Sequence, residues 1–142
     1  MIFRLMGAVE QPGFVEVPLS ATVGEVINGV GGGFRHGRNP KAILVGGTLG
    51  GIFPAHFLQM SLNHETLREL GASLALGTIQ VLDEKDCIIS LVRRQIDFIL
   101  DQPGAQCPTC HQSLIRVRDL LAEIAAGDRV DLVELEHGAF VA

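Results

Sequence analysis

The hydrophobic pattern of this chain changes once, close to residue 83, and that change limits the folds it can adopt. Before it, short apolar runs alternate with glycine-rich stretches, which is typical of strands joined by turns. After it, apolar residues recur at helical spacing over 84–100 and again from Thr109 to Gly127. The sequence therefore predicts an α+β protein, with a strand-rich domain over 1–83 and a small helical bundle over 84–142.

The first domain has clear turn and cap signals. Pro12-Gly13 favours a hairpin, because proline presets φ and glycine tolerates positive φ. Thr22-Val-Gly-Glu25 is a capping box, and Gly31–Gly33 stops the helix behind it. The expected elements are, in order, strands at Ile2–Met6 and Phe14–Val17, a helix from Val23 to Val30, an interior strand at Lys41–Val45, a long loop through Pro54, a helix from His64 to Leu70 capped by Asn63, and a strand at Gly77–Leu82. Hairpin, helix, strand, loop and strand form the order of a β-grasp fold.

Composition excludes several classes of function. The 142 residues are 47% hydrophobic and carry a net charge of −5, which favours a folded domain and argues against a nucleic-acid partner. No apolar run approaches the roughly 20 residues that span a bilayer, so we expect no membrane insertion. Three cysteines and no export segment favour a reducing, cytoplasmic location.

Two glycine-rich or basic stretches invite a ligand-binding interpretation. Gly29–Gly33 neither follows a strand nor opens a helix, so a dinucleotide site is not favoured there over turns that need positive φ. The basic loop Arg35-His-Gly-Arg38 could contact an anion or a partner, although a solvated loop is the favoured interpretation. The five histidines are scattered and no serine stands in a nucleophile-elbow context, so the sequence offers no complete active site.

The stretch with the clearest signal for metal binding or redox chemistry lies between the two predicted helices. It is Gln102-Pro-Gly-Ala-Gln-Cys107-Pro-Thr-Cys110-His111. Thiols at this spacing can bind one metal or close a small disulfide. The third cysteine, Cys87, lies beside the apolar stripe of the first of these helices and is expected to be a small buried side chain.

This stretch resembles the cluster loop of the flavoprotein subunit of NADH:quinone oxidoreductase (complex I), a family that includes NAD-linked hydrogenase and formate dehydrogenase subunits. That family carries Glu-Ser-Cys-Gly-x-Cys-x-x-Cys-Arg before a helix and a fourth cysteine about forty residues later, and the four thiolates hold a 4Fe–4S cluster. Here Gly104 stands at the first cysteine, Cys107 and Cys110 match the second and third, and no cysteine follows Cys110.

The first domain resembles the soluble-ligand-binding β-grasp (SLBB) module that precedes the cluster domain in this family. The likeness rests on Gly7-Ala-Val-Glu-Gln-Pro-Gly13, on the glycines 31–33 and on Lys41-Ala-Ile-Leu-Val-Gly-Gly47, and it covers about residues 2–127 in the family's order. The resemblance implies an SLBB-like, ubiquitin-like β-grasp domain followed by a helical domain of cluster-binding type. It also implies a piece of a redox subunit without the FMN- and NADH-binding domain.

The incomplete ligand set leaves three interpretations of the thiols. Zinc could bind to Cys107, Cys110 and His111 together with a further ligand, which could also come from a second chain. A reversible disulfide could form, although a helix and not a strand precedes the motif. The favoured interpretation is a reduced pair left from a degenerate 4Fe–4S site, so no cofactor is assigned.

The resulting first hypothesis is a binding or scaffold module that docks on protein subunits of a redox complex or self-associates. The alternative is an electron-transfer protein whose iron–sulfur cluster or zinc is bound through Cys107 and Cys110, shared between chains. A third class is a small-ligand binder that uses the glycine loops.

Overall fold

The computed structural model describes residues 1–102 and 107–127, together with Val133. The chain divides into two compact units, Met1–Asp86 and Cys87–Ala142, and each is described by itself.

The first unit is built on one five-stranded sheet. Its strands are β1 (Ile2–Gly7), β2 (Gly13–Glu16), β3 (Pro40–Val45), β4 (Gly51–Pro54) and β5 (Thr78–Asp83). Their order is β2-β1-β5-β3-β4, with β1 parallel to β5 and every other neighbouring pair antiparallel. The predicted hairpin, the interior strand β3 and the last strand are confirmed.

Two helices of this unit begin at the predicted caps. In α1 (Val23–Glu25, continued by a π-helical segment at Val26–Val30), the Glu25 N–H donates to Thr22 Oγ1 at 3.2 Å and the Thr22 N–H donates to Glu25 Oε2 at 2.7 Å. In α2 (His64–Glu69), Asn63 Oδ1 accepts the Thr66 N–H at 2.7 Å. The capping box and the asparagine cap are therefore confirmed, and each satisfies a backbone donor that the helix leaves free.

The core of the first unit lies on one face of the sheet. Alternate residues of the strands point into it, because successive side chains of a strand face opposite sides. Its most buried members, each 1% exposed or less, are Phe3, Leu5, Val9, Val23, Val26, Ile27, Ile43, Val45, Leu62, Leu67, Leu74, Ile79 and Val81. The apolar residues of the helix that begins at the capping box thus pack in one core with residues of β1, β2 and β5.

The second unit contains two packed helices, α3 (Ile88–Leu100) and α4 (Pro108–Ala126). The stripe predicted for α3 is confirmed at its centre, where Leu91 and Ile96 are buried. On α4, which falls where the apolar periodicity from Thr109 to Gly127 predicted a helix, the buried side chain is Leu120. Gly127 ends α4 in the left-handed conformation, as its position predicts.

Three local expectations are wrong. The loop predicted through Pro54 contains the strand β4, which pairs with β3 although glycine and proline bound it. The first helix of the second unit begins at Ile88 and not at Glu84, because the Asp86 N–H donates to the Asp83 carbonyl at 3.1 Å and closes a turn there. Cys87 is exposed and not buried, because it lies at the N-cap position of that helix and not on its stripe.

The turn predicted after Asp128 and the tail 136–142 lie outside the described residues, apart from Val133. Within the described ranges, none of the helices combines the length and the hydropathy of a membrane span.

Gly7 supplies a test of the sheet geometry. It has φ +88°, and a Cβ there would overlap the Val81 carbonyl oxygen of the parallel strand β5. We expect Gly7→Ala to lower the free energy of unfolding by about 1–3 kcal/mol, because both the left-handed backbone and the close strand approach resist a side chain.

The matched control is Gly13→Ala, since a Cβ at Gly13 would meet no atom within 4 Å and its φ is not positive. Urea unfolding should place this control within about 0.5 kcal/mol of the unaltered protein, or slightly above it. Equal stabilities of the two variants would contradict the backbone assigned to Gly7.

Candidate functional site

The two motif cysteines lie in the first turn of α4. Cys107 is the N-cap residue, Pro108 is the first helical residue, and Cys107 Sγ accepts the Cys110 N–H at 3.3 Å. Proline suits this position because its missing N–H would have no partner in the helix anyway. The sulfur of Cys107 therefore occupies the place that a capping oxygen takes in other helices.

The sulfurs of Cys107 and Cys110 are joined in a disulfide, with the two Cα atoms 5.3 Å apart. That separation is within the usual range for a disulfide, so the first helical turn brings the two thiols together without help from another element. The reduced pair expected from the sequence stays a prediction, as does the metal site. Of the three interpretations drawn from the sequence, a disulfide is the one that this geometry matches.

The remaining sequence-predicted ligand, His111, follows on the same helix and is half-buried. Its N–H donates to the Cys107 carbonyl at 2.9 Å. Among the described residues, no group of three or more His, Cys, Asp or Glu side chains is placed to hold a metal ion. The metal site at Cys107, Cys110 and His111 stays a prediction.

The 4Fe–4S cluster of the resembling family does not fit the residues present. Such a cluster takes four thiolates, and the whole chain has three cysteines. Only Cys107 and Cys110 match positions of the family's cluster loop, and Gly104 stands where its first cysteine does. No step of chemistry is therefore assigned to a cluster in this chain.

A second polar site lies in the first unit, at the end of β5. Asp83 is the one buried charged residue among those described, with 8% of its surface exposed. Arg38 Nη1 donates to Asp83 Oδ2 at 2.8 Å, and the Lys85 N–H donates to Asp83 Oδ1 at 2.8 Å. The hydrogen bond from Arg38 holds the pKa of the Asp83 carboxyl below its ordinary value of 3.8, and the Lys85 N–H acts in the same direction.

This pair borders a cleft of about 320 Å³ that Arg35, Lys85 and Asp86 also line. The loop expected to be solvated is thus anchored at one end, because Arg38 is half-buried against β5 whereas Arg35 and His36 are exposed. His36 is held in a left-handed conformation with φ 55°, and its N–H donates to Glu10 Oε1. Sequence reasoning missed the pair, since 45 residues separate its members and no local signal links them.

Comparison with known proteins identifies relatives over almost the whole chain. The NADP-reducing hydrogenase subunit HndC of Solidesulfovibrio fructosivorans is 31% identical over 137 residues, which are 95% of this chain and 28% of that subunit. A subunit of the NADH-quinone oxidoreductase of Rhizobium meliloti is 28% identical over 137 residues, or 95% of this chain and 32% of the subunit. The chain thus spans about a third or less of these curated relatives, and no family model matches it.

Solved structures also match most of this chain. A crystal structure of NAD⁺-reducing NiFe-hydrogenase in the air-oxidised state matches 89% of this chain and 21% of the compared chain, with a TM-score of 0.72 and 25% identity. The H₂-reduced state of such an enzyme matches 99% of this chain and 23% of the compared chain, with a TM-score of 0.77 and 25% identity. The mixed α and β architecture expected from the sequence is confirmed by this likeness.

The pair of Arg38 and Asp83 predicts how stability depends on pH. Because the folded-state pKa of Asp83 is lowered, its contribution is complete above the ordinary value of 3.8 and is lost as the pH falls below 3.8 through the folded-state pKa. We expect Asp83→Asn to lower the free energy of unfolding most above about pH 5, and the difference from the unaltered protein to shrink steadily in acid.

Arg38→Met and the double variant complete a cycle that isolates the pair. Urea unfolding at a series of pH values should give a coupling energy that is largest near neutral pH and fades below 3.8. A coupling that stayed constant through acid would contradict the role assigned to the carboxylate.

Proposed function

Because this chain is homologous to part of an NADH-quinone oxidoreductase subunit and of related hydrogenase subunits, we propose that it is a protein-docking module of a redox complex. The observation that carries the proposal is the homology over 95% of the chain to proteins whose names describe them as subunits of such enzymes. The activities given in the names of those proteins are not assigned to these residues, since the chain spans about a third or less of each relative.

The proposal includes a β-grasp fold of SLBB type for the first domain, over 1–83, and a helical domain resembling the cluster-binding domain over 84–142. The strand order β2-β1-β5-β3-β4 supports it, since the hairpin lies on one side of the last strand and β3 on the other. The helix after the hairpin supports it as well, because α1 carries the chain from the hairpin towards β3 and contributes Val23 and Ile27 to the core.

A docking surface is proposed on the exposed face of the hairpin. Phe14 is 77% exposed and Ile2 63% exposed, and they lie on the same face because Ile2 pairs with Glu16 and Arg4 with Phe14. β2 is also an edge strand of the described sheet. A large aromatic side chain with an apolar neighbour at a sheet edge is a common feature of protein contacts, where such residues carry much of the binding energy.

The proposed partner is a protein subunit, because the relatives are named as subunits and because the net charge of −5 disfavours nucleic acid. A cytoplasmic location is part of the same proposal and rests on the odd number of cysteines. In that compartment, disulfides are usually transient, catalytic or redox-sensing.

The docking proposal is tested by mixing the chain with the remaining purified subunits of the redox complex from the organism that encodes it. Co-elution in size-exclusion chromatography is the expected result. Phe14→Ser should weaken the measured Kd by about tenfold or more, since it removes an apolar anchor. Phe98→Ser is the matched control, because Phe98 is 55% exposed but lies on α3, and we expect a change of about twofold or less.

One result would contradict the docking proposal, and another would contradict the surface assigned to it. A chain that elutes alone, or only with itself, in the presence of every subunit is not a docking module of that complex. Equal weakening by the two phenylalanine variants would leave docking intact but would reject the hairpin surface.

The absence of a cluster is a separate part of the proposal. After anaerobic incubation with iron, sulfide and a reductant, we expect the desalted protein to lack the visible absorbance of a cluster and to retain far less than one iron per chain. Cys107→Ser/Cys110→Ser provides the baseline. Stable colour with about four irons per chain, lost in that double variant, would overturn the proposal.

A further inference from the structure

The disulfide between Cys107 and Cys110 contributes little as a structural crosslink. It spans a sequence separation of 3, all of it within the first turn of α4. A crosslink stabilises a fold mainly by restricting the unfolded chain, and that effect grows with the length of the loop it closes. A bond inside one helical turn restricts almost nothing that the helix does not already restrict, so stability does not account for it.

The two sulfurs differ in their access to solvent. Cys107 is exposed at the N-cap, whereas Cys110 is half-buried in the first turn. Thiol–disulfide exchange begins when a thiolate reaches one sulfur of the bond, so access decides which sulfur is attacked. The structure therefore presents Cys107 as the entry point and Cys110 as the sulfur that leaves.

The backbone is arranged so that opening and closing the bond requires little movement. The 5.3 Å between the Cα atoms is set by the helical turn, and Cys107 Sγ accepts the Cys110 N–H at 3.3 Å within that turn. The His111 N–H is likewise satisfied by the Cys107 carbonyl at 2.9 Å. The N-cap geometry thus holds the thiols next to each other for reoxidation.

From these observations we infer that Cys107 and Cys110 form a thiol–disulfide exchange site that takes electrons from a dithiol. A thiolate of the dithiol attacks Cys107 Sγ, the bond between the cysteines breaks, and Cys110 leaves and takes up a proton. The second thiolate of the dithiol then attacks its own sulfur in the mixed disulfide and releases Cys107, which takes up the second proton. Two electrons and two protons pass to the chain, and the dithiol becomes a disulfide.

This inference is independent of the docking proposal. It concerns α4 alone, whereas the proposed docking surface lies on the hairpin of the first unit. A failure to bind other subunits would leave the exchange chemistry untouched, and the tests below use the isolated full chain with no partner subunit.

The first test titrates the full chain carrying Cys87→Ser, in which the only cysteine sulfurs left to titrate are the two of the site. The protein is equilibrated anaerobically, without denaturant, with mixtures of reduced and oxidised dithiothreitol. It is then quenched with acid and alkylated, and its mass is measured by mass spectrometry. We expect both thiols to appear together in one transition, reached equally from the oxidised and the reduced side. The Cys107→Ser/Cys110→Ser variant should show no such transition.

A disulfide that stays closed at every ratio until the protein is denatured would overturn the inference, since it would then be structural. A reduced pair that does not close in excess oxidised dithiothreitol would overturn it too. Uptake of one zinc per chain that blocks alkylation of both thiols and prevents reoxidation would replace it with a metal site.

The second test separates the two sulfurs, with Cys87→Ser retained in both proteins. Cys110→Ser leaves Cys107 alone, and Cys107→Ser leaves Cys110 alone. With an aromatic disulfide as the probe, we expect the Cys107 thiol to form the mixed disulfide about tenfold faster or more, because access governs the attack. Equal rates, or a faster Cys110, would contradict the assignment of Cys107 as the entry sulfur. Circular dichroism of the two variants should match, since serine can cap a helix as well as cysteine does.

Discussion

The parallel pairing of β1 with β5 is the constraint on which the first unit depends. It joins residues more than seventy positions apart, with Leu5 opposite Ile79 and Gly7 opposite Val81. Such long-range contacts are costly in chain entropy and have to be repaid by burial, and both Leu5 and Ile79 are almost completely buried. Once β5 lies beside β1, its other edge is the place where β3 pairs, so β5 joins the hairpin to the second half of the sheet.

The same pairing explains where the polar residues of the first unit gather. β5 ends at Asp83, and β3 begins opposite it, since Pro40 is the partner of Asp83 in the register. Arg38 lies just before that strand and so reaches the carboxylate at 2.8 Å. A buried carboxylate needs a partner of opposite charge, and Arg38 supplies one while it anchors the loop that precedes β3. A loop that reads as a solvated basic segment is thereby fixed to the sheet.

Local signals in the sequence were sufficient for much of this fold. The capping box at Thr22–Glu25, the cap at Asn63 and the apolar run of β3 each act within a few residues, and each predicted its element correctly. The missed features depend on pairing that their own residues do not indicate. β4 is a strand because β3 lies beside it, and its bounding Gly51 and Pro54 disfavour a strand on their own. Asp83 is buried because Arg38 reaches it from 45 residues away.

For the cysteines as well, the sequence gives their number and spacing, whereas the fold gives their position on a helix. Counting sulfurs in the sequence argues against a four-thiolate cluster in these residues, whereas the spacing of Cys107 and Cys110 suits a metal and a disulfide equally. The start of α4 at Pro108 places one sulfur at the N-cap and the other in the turn it caps, which brings the two sulfurs together. A pair held by one helical turn needs no further side chain to close a disulfide, and the thiol–disulfide exchange that we infer rests on this geometry.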